Sequence, residues 1–362
     1  MFSRTSDTDP MKLIVQIPCY NESETLPEVV AGIPRTVEGV DRVEILVVDD
    51  GSGDGTADVA RALGVDHVVR NASNVGLARS FQRGIDACLR LGADVIVNTD
   101  GDHQYPGAAI PALIAPILRG EADVVVGDRQ PHRSPHFSGS KRWLQRLGSG
   151  IVRSMSGVQV ADAVSGFRAY SRAAALQMNV ITTFSYTTET LIHAGRNGIH
   201  VASVPIETNA PTRPSRLFES VPAFLGKQAV TMVRSFTMYR PLRAFILLAA
   251  IMLALGVMPI VRFLYFFALG QGDGHVQSLV LGAMFFTVGC MTLVIALLGD
   301  TIATNRQLME ATLQRVKQLE YAAHETGRGP SRVVGFEPVH RERSDWVAAG
   351  DAGTYAHGSN EV

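Results

Sequence analysis

Short apolar runs alternate with stretches of helical periodicity through the first half of the chain. Residues 12–18, 43–50, 94–98 and 122–127 are compact runs rich in Val and Ile, which read as strands. Between them, residues 25–33, 56–63, 77–91 and 108–118 space their apolar positions at helical intervals. Such alternation predicts an α/β domain whose mostly parallel sheet is covered on both faces. Each of the first three strands runs into polar residues: Pro18-Cys19-Tyr20-Asn21-Glu22, Asp49-Asp50-Gly51-Ser52 and Asp100-Gly101-Asp102. In open α/β sheets ligands bind beyond the carboxyl ends of the strands, so these three loops predict one site.

The second half follows a different pattern. Residues 244–261 and 279–298 contain no charged side chain, and each segment is long enough to cross a hydrocarbon core of roughly 30 Å. Two transmembrane helices are expected, buried core helices being the alternative. Arg234, Arg240 and Arg243 precede the first span and Arg306, Arg315 and Lys317 follow the second, whereas residues 271–275 between them hold no Lys or Arg. The positive-inside tendency then places both ends, and the N-terminal domain, on the cytoplasmic side of the cell membrane. Arg262 either snorkels to a headgroup or serves as a functional intramembrane charge. Residues 220–239 set Val221, Phe224, Leu225, Met232, Val233 and Phe236 at helical spacing. This stretch reads as an interfacial helix or as one packed on the N-terminal domain. Residues 301–323 form a further amphipathic helix, and the Gly-, Arg- and acid-rich tail reads as disordered.

The resulting organisation is a domain over residues 1–217, a juxtamembrane helix over 218–241, a two-helix anchor over 242–299, a helix over 300–326 and a tail over 327–362. Net charge is −1 in 362 residues, which gives no reason to expect a nucleic-acid partner. Cys19, Cys88 and Cys290 are too scattered for a disulfide framework or a zinc site and read as small apolar residues in a reducing compartment. Residues 1–10 lack the apolar core of a signal peptide.

Asp100 and Asp102 carry the most chemistry. Side chains two residues apart in extended chain point the same way, so both carboxylates can converge on one cation, with Gly101 leaving room for a ligand. Hard oxygen donors suit Mg2+ or Mn2+ completed by substrate phosphates. The tripeptide alone is equally at home in a solvated turn. Its place after a buried strand favours the cation.

Taken in order, Ile17-Pro18-Cys19-Tyr20-Asn21-Glu22, Val47-Val48-Asp49-Asp50-Gly51-Ser52 with Asp54-Gly55-Thr56, Asn74-Val75-Gly76-Leu77, Asp100-Gly101-Asp102-His103-Gln104 and Asp162 to Arg168 (DAVSGFR) resemble the motifs of family 2 glycosyltransferases of GT-A fold. The last motif resembles more narrowly the dolichyl- and polyprenyl-phosphate sugar synthases. The likeness covers roughly residues 12–217. It implies a Rossmann-like GT-A domain in which Pro18, Tyr20, Glu22, Asp49, Asp50 and Asp100 bind the nucleotide sugar. It also implies that Asp100, Asp102 and Gln104 hold the metal.

A lipid phosphate is already ionised and needs cations rather than a strong base. Arg129, Ser165, Arg168, Arg213 and Arg216 are the residues expected to grip it, with Asp102, Arg129 and Arg168 as the catalytic set. Arg213-Pro214-Ser215-Arg216 stands where related synthases often carry a Lys-containing loop. The implied reaction is inverting, metal-dependent transfer of a hexose-type sugar from a GDP- or UDP-linked donor to polyprenyl phosphate, with self-association left open. Transfer to another membrane acceptor, a glycolipid or polysaccharide, is the alternative. An inactive membrane-anchored binding subunit is a third reading.

Overall fold

The computed structural model describes residues 10–130, 150, 153, 156–180, 186–209, 241–271, 273–325 and 336–338. Arg213, Arg216 and the expected interfacial helix up to residue 240 lie outside these, as does most of the tail. Eight strands form one sheet: β1 (Lys12–Cys19), β2 (Arg42–Asp49), β3 (His67–Arg70), β4 (Val95–Asn98), β5 (Val124–Asp128), β6 (Arg168–Ser171), β7 (Val201–Pro205) and β8 (Phe336–Pro338). Their order across the sheet is β7-β5-β6-β4-β1-β2-β3-β8. β1 pairs in parallel with β2 and β4, β2 with β3, and β5 with β7, while β6 and β8 run antiparallel to their neighbours. The sheet is therefore mostly parallel, as the alternation predicts. β3, β6 and β7 were not foreseen, and β8 falls within the stretch read as disordered.

Helices α1 (Leu26–Gly32), α2 (Thr56–Ala62), α3 (Leu77–Arg90) and α4 (Ile110–Leu118) connect the early strands, and α5 (Arg172–Gln177) and α6 (Tyr186–Arg196) follow β6. Alternation along each strand divides the core. Leu13, Val15, Ile45, Val47, Val95 and Val97 face the side covered by α1, α2 and α4. Ile14, Leu46, Val48 and Ile96 face α3, whose Phe81, Ile85, Cys88 and Leu89 recur at helical spacing. A sheet buried on both faces explains why these strands read as unbroken apolar runs.

The chain adds β2 and β3 on one side of β1, then returns through α3 to place β4 on the other side. The carboxyl ends of β1 and β4 are thus a topological switch point, where the loops diverge and leave a crevice.

Two long helices follow, α7 (Pro241–Ala268) and α8 (Val276–Glu325). Their most apolar windows are only 11% and 22% buried. So much exposed hydrocarbon argues against buried core helices and suggests a membrane anchor. The two helices predicted over 279–298 and 301–323 are one uninterrupted helix of 50 residues. Gly299 and Asp300 mark a change from apolar to polar surface, and a single glycine does not break a helix.

Candidate active site

The loops after β1 and β2 interlock before they can bind anything. Asn21 N donates to Ser52 Oγ at 2.9 Å, Glu22 N to Thr56 Oγ1 at 3.0 Å, and Ser23 N to Asp54 Oδ2 at 3.0 Å. Gly53 N returns a bond to Asn21 Oδ1 at 3.0 Å. Asn21 itself stands at φ 55°, a left-handed conformation that Asn tolerates. Between the two loops opens a cleft of about 630 Å³ lined by Tyr20, Asn21, Glu22, Ser23, Glu24, Thr25, Gly51, Gly53 and Asp54. Tyr20 is 44% exposed at its rim. Burial alone would raise the Asp54 carboxyl, but bonds from Thr56 and Ser23 bring it down to about 2.

The β4 loop docks beside this cleft. Thr25 Oγ1 donates to Gly101 O at 2.6 Å and lies 2.9 Å from Glu22 Oε2. A Cβ at Gly101 would meet Cys19 Sγ at 3.0 Å and Glu22 Cγ at 3.1 Å. The room Gly101 leaves is therefore taken by these side chains and not by a ligand, a correction to its expected role. The Asp100 and Asp102 carboxylates are close enough to interact. Burial and the neighbouring Asp102 push the Asp100 carboxyl up to about 7, with Glu22 adding to the rise and Arg129 and Arg168 opposing it.

Two acids this close favour a shared cation over two ionised oxygens. Among the described residues no group of three His, Cys, Asp or Glu is placed to hold a metal. A cation held by the Asp100–Asp102 pair would complete its shell with phosphate and water, the habit of Mg2+. The residues present fit such an ion. Gln104 is fixed by its backbone: its N–H donates to Asp102 Oδ1 at 3.2 Å, and its carbonyl accepts from Asn209 N at 3.0 Å. Asn209 Nδ2 also donates to His103 O at 2.9 Å, holding a residue at φ 59°.

Beyond the carboxylates lies a second wall. Arg129, at the end of β5, forms a two-pronged ion pair with buried Asp162, Nε to Oδ2 at 2.7 Å and Nη2 to Oδ1 at 3.0 Å. Burial would lower its pKa, but Tyr105, Asp162 and Asp100 around it more than offset this and keep it cationic. Three residues on, Ser165 Oγ is fully buried with no hydrogen-bond partner among the described residues. A buried hydroxyl left unpaired is costly and points to a group it has yet to meet.

Several sequence assignments are corrected here. Arg168 has no exposed surface. Its guanidinium donates to Ser165 O (2.8 Å), Thr187 O (2.7 Å), Thr190 Oγ1 (2.7 Å) and Ala163 O (2.8 Å). It braces the 163–165 loop against α6 and is not presented to an acceptor phosphate. Asp50 is also buried and spent: its oxygens accept from Asn71 Nδ2, Val75 N and Gly76 N, which anchors the start of α3. Pro18 is buried within β1. Asp49 is fully buried and ion-paired with Arg70. Oδ1 accepts from Ser52 N at 3.0 Å, whereas Oδ2 takes no hydrogen bond, although Arg70 Nε lies 3.1 Å away in poor alignment.

Sequence reading missed Asp162 as the partner of Arg129, Asn209 as the clamp on the β4 loop, and the buried relay Gln16–Asn98–Gly166. In that relay Gln16 Nε2 donates to Asn98 Oδ1, and Asn98 Nδ2 to Gly166 O, each at 2.9 Å. Asp162 and Gly166 stood within the last motif. Gln16 and Asn98, polar residues inside apolar strands, were the available signal.

A mostly parallel sheet with paired carboxylates at its switch point and an ion-paired arginine behind them is consistent with the glycosyltransferase fold that the sequence motifs imply. Comparison with known proteins agrees. The profile of Glycosyl transferase family 2 matches residues 14–177. The undecaprenyl-phosphate mannosyltransferase of Micrococcus luteus is 29% identical over 206 residues, 54% of this chain and 83% of that one. The polyprenol monophosphomannose synthase of Mycolicibacterium smegmatis is 30% identical over 206 residues, 54% of this chain and 76% of the relative. A dolichyl-phosphate hexose transferase of Haloferax volcanii is 30% identical over 194 residues, 54% and 81% of the two chains. The chain belongs to glycosyl transferase family 2.

Proposed function

We propose that this enzyme transfers a hexose-type sugar, with inversion, from a GDP- or UDP-linked donor to the phosphate of a polyprenyl lipid at the cytoplasmic membrane face. The observation that carries the reading is the proximity of an acidic pair and a basic wall. On one side Asp100 and Asp102 repel each other until a cation joins them. On the other, Arg129, ion-paired with Asp162, and the buried Ser165 hydroxyl stand on the wall next to Asp100. Asp100 and Asp102, with Gln104 beside them, hold Mg2+ or Mn2+, which supplies charge neutralisation for the departing nucleotide diphosphate. Tyr20 and Glu22 receive the nucleoside, with Asp49 behind them holding the β2 loop, and the cleft that Tyr20 and Glu22 border is of ligand size.

The acceptor needs no deprotonation, so catalysis rests on holding its oxygen in line with the sugar carbon. Arg129 and Ser165 do this, assisted by Arg213 and Arg216 on the segment beyond β7. The apolar helices α7 and α8 keep the domain where a polyprenyl phosphate lies. That three relatives are named for mannosyl or hexosyl transfer to lipid phosphates supports the acceptor class.

The test is incubation of membranes holding the full chain with a panel of radiolabelled GDP- and UDP-sugars, with and without added polyprenyl phosphate. One donor should label a lipid whose mass is that of the polyprenyl phosphate plus one hexose-type residue. Labelling only of a neutral glycolipid or of polymer would overturn the proposal.

A further inference from the structure

The membrane helix α8 does not end at the membrane. From Leu298, the last residue of its apolar stretch, to Lys317 the helix continues without a proline, a rise of about 28 Å at 1.5 Å per residue. There it docks on the catalytic domain. Lys317 Nζ donates to Asp86 Oδ1 of α3 at 2.8 Å, with Asp86 only partly exposed. Arg90 Nη2 lies 3.2 Å from Glu320 Oε1, and its guanidinium stands 6.0 Å over the Tyr321 ring. Tyr321 is 2% exposed and belongs to the same core cluster as Phe81, Ile85 and Leu89 of α3. A helix rooted in the bilayer thus contributes a core residue to the domain that carries the site.

A flexible tether would raise the local concentration of enzyme at the membrane but leave the domain free to tumble. A continuous helix with a buried aromatic at its far end fixes both height and orientation. We propose that the α8 dock, through Lys317, Glu320 and Tyr321 against Asp86 and Arg90, is a specificity-determining strut. It holds the catalytic domain in one orientation over the bilayer and so selects acceptors whose phosphate sits in the headgroup layer over soluble ones. This rests on the lipid-phosphate reading above. Neither Asp86 nor Lys317 touches the site, so loosening the dock changes where the site stands and not what it can do.

The test uses the full chain in phosphatidylglycerol–phosphatidylethanolamine vesicles, with long-chain polyprenyl phosphate in the bilayer or a water-soluble C10 prenyl phosphate as acceptor. Asp86→Lys and Lys317→Asp should each lower transfer to the bilayer acceptor by about fivefold or more, while transfer to the soluble acceptor changes by less than about twofold. Because both side chains are partly exposed, the single variants should fold, and the double reversal should restore bilayer transfer to within about twofold of wild type. Equal loss on both acceptors, no loss on either, or no rescue by the double reversal would overturn the strut. A readout independent of turnover is cross-linking of Asp86→Cys with Lys317→Cys by a short bismaleimide in membranes, in a Cys290→Ser background. Formation is expected, and its absence refutes the dock. If the wild-type enzyme used neither prenyl phosphate, the acceptor proposal would fail, and the dock would be judged on the cross-link.

Discussion

The backbone of Gly166 lies against the carboxylate of Asp100: a Cβ at 166 would stand 3.0 Å from Asp100 Oδ2, 3.2 Å from Oδ1 and 2.7 Å from Tyr186 Oη. The loop bearing Ser165 and the loop bearing Asp100 and Asp102 are therefore in contact through a residue with no side chain. Gly166→Ala should displace Asp100 or Tyr186, lowering stability by about 1–3 kcal/mol and turnover by about tenfold or more. Thermal unfolding and steady-state kinetics check this, and unchanged kinetics would show that the contact is not under constraint.

The raised Asp100 carboxyl predicts how the metal-free protein responds to pH. A carboxyl whose folded pKa is about 7 favours the protonated folded state. Its contribution to stability is fully present below about pH 4 and is lost as pH rises through 7. Metal-free enzyme should lose stability across that window, Asp100→Asn should flatten the loss, and saturating Mg2+ or Mn2+ should reverse it in the wild type. Melting temperatures at pH 5, 6, 7 and 8 with and without metal decide it. A profile for Asp100→Asn identical to that of wild type would contradict the assignment.

Glu44 predicts the opposite slope at lower pH. Burial would raise its carboxyl, but the hydrogen bond from His67 and the charges of Lys12, His67 and Arg42 bring it below the usual range. Its stabilisation is present above the ordinary Glu value and is lost as pH falls through the depressed one. Glu44→Gln should therefore be less stable than wild type at pH 6 and approach it near pH 3, as measured by denaturant unfolding.

Arg168 and Ser165 are separable by substitution. Arg168→Met removes four hydrogen bonds to buried oxygens and should cost about 3–5 kcal/mol, with donor and acceptor kinetics impaired together. Ser165→Ala removes a hydroxyl that lacks a partner. Stability should hold or rise by about 1 kcal/mol, while the apparent affinity for acceptor falls by about tenfold. A stable Arg168→Met enzyme with a purely acceptor-side defect would restore the role the motif first implied.

How much of this was legible in the sequence depended on whether direction mattered. Long apolar runs with polar ends announced β1, β2, β4 and the Asp100 loop. β3 and β6, though no shorter than β4, are half polar in His67–Arg70 and Arg168–Ser171 and so make no apolar run. Residue type also cannot say which way an arginine points. β6 turns Arg168 into the core, where three carbonyls and the Thr190 hydroxyl take the bonds a phosphate was expected to accept. Asp49 and Asp50 read as an equivalent pair, yet adjacent residues at a strand end face opposite sides. One accordingly keeps an oxygen toward the β2 loop, and the other caps α3. The join between the second span and the helix after it was hidden because hydropathy changes there while the backbone does not.

The membrane hairpin offers a further check. A Cβ on Gly256 would stand 2.6 Å from Phe286 N, and one on Gly282 2.7 Å from Gly256 O, so α7 and α8 meet backbone to backbone, as small residues permit. Gly256→Leu should splay the hairpin and lower the melting temperature in detergent while nucleotide-sugar binding stays within about twofold, the sites being remote. An unchanged melting temperature would contradict that packing.

The central claim is that a lipid phosphate oxygen, with the Asp100–Asp102 cation site behind the donor, accepts the sugar. Its most direct test compares polyprenyl phosphate with the corresponding polyprenol in otherwise identical vesicles, using wild-type and Asp102→Asn enzyme with the preferred nucleotide sugar and Mg2+ or Mn2+. Sugar should enter the lipid phase only with polyprenyl phosphate and wild-type enzyme, and chelation by EDTA should stop it. Equal transfer to the polyprenol, or undiminished transfer by Asp102→Asn, would contradict the account.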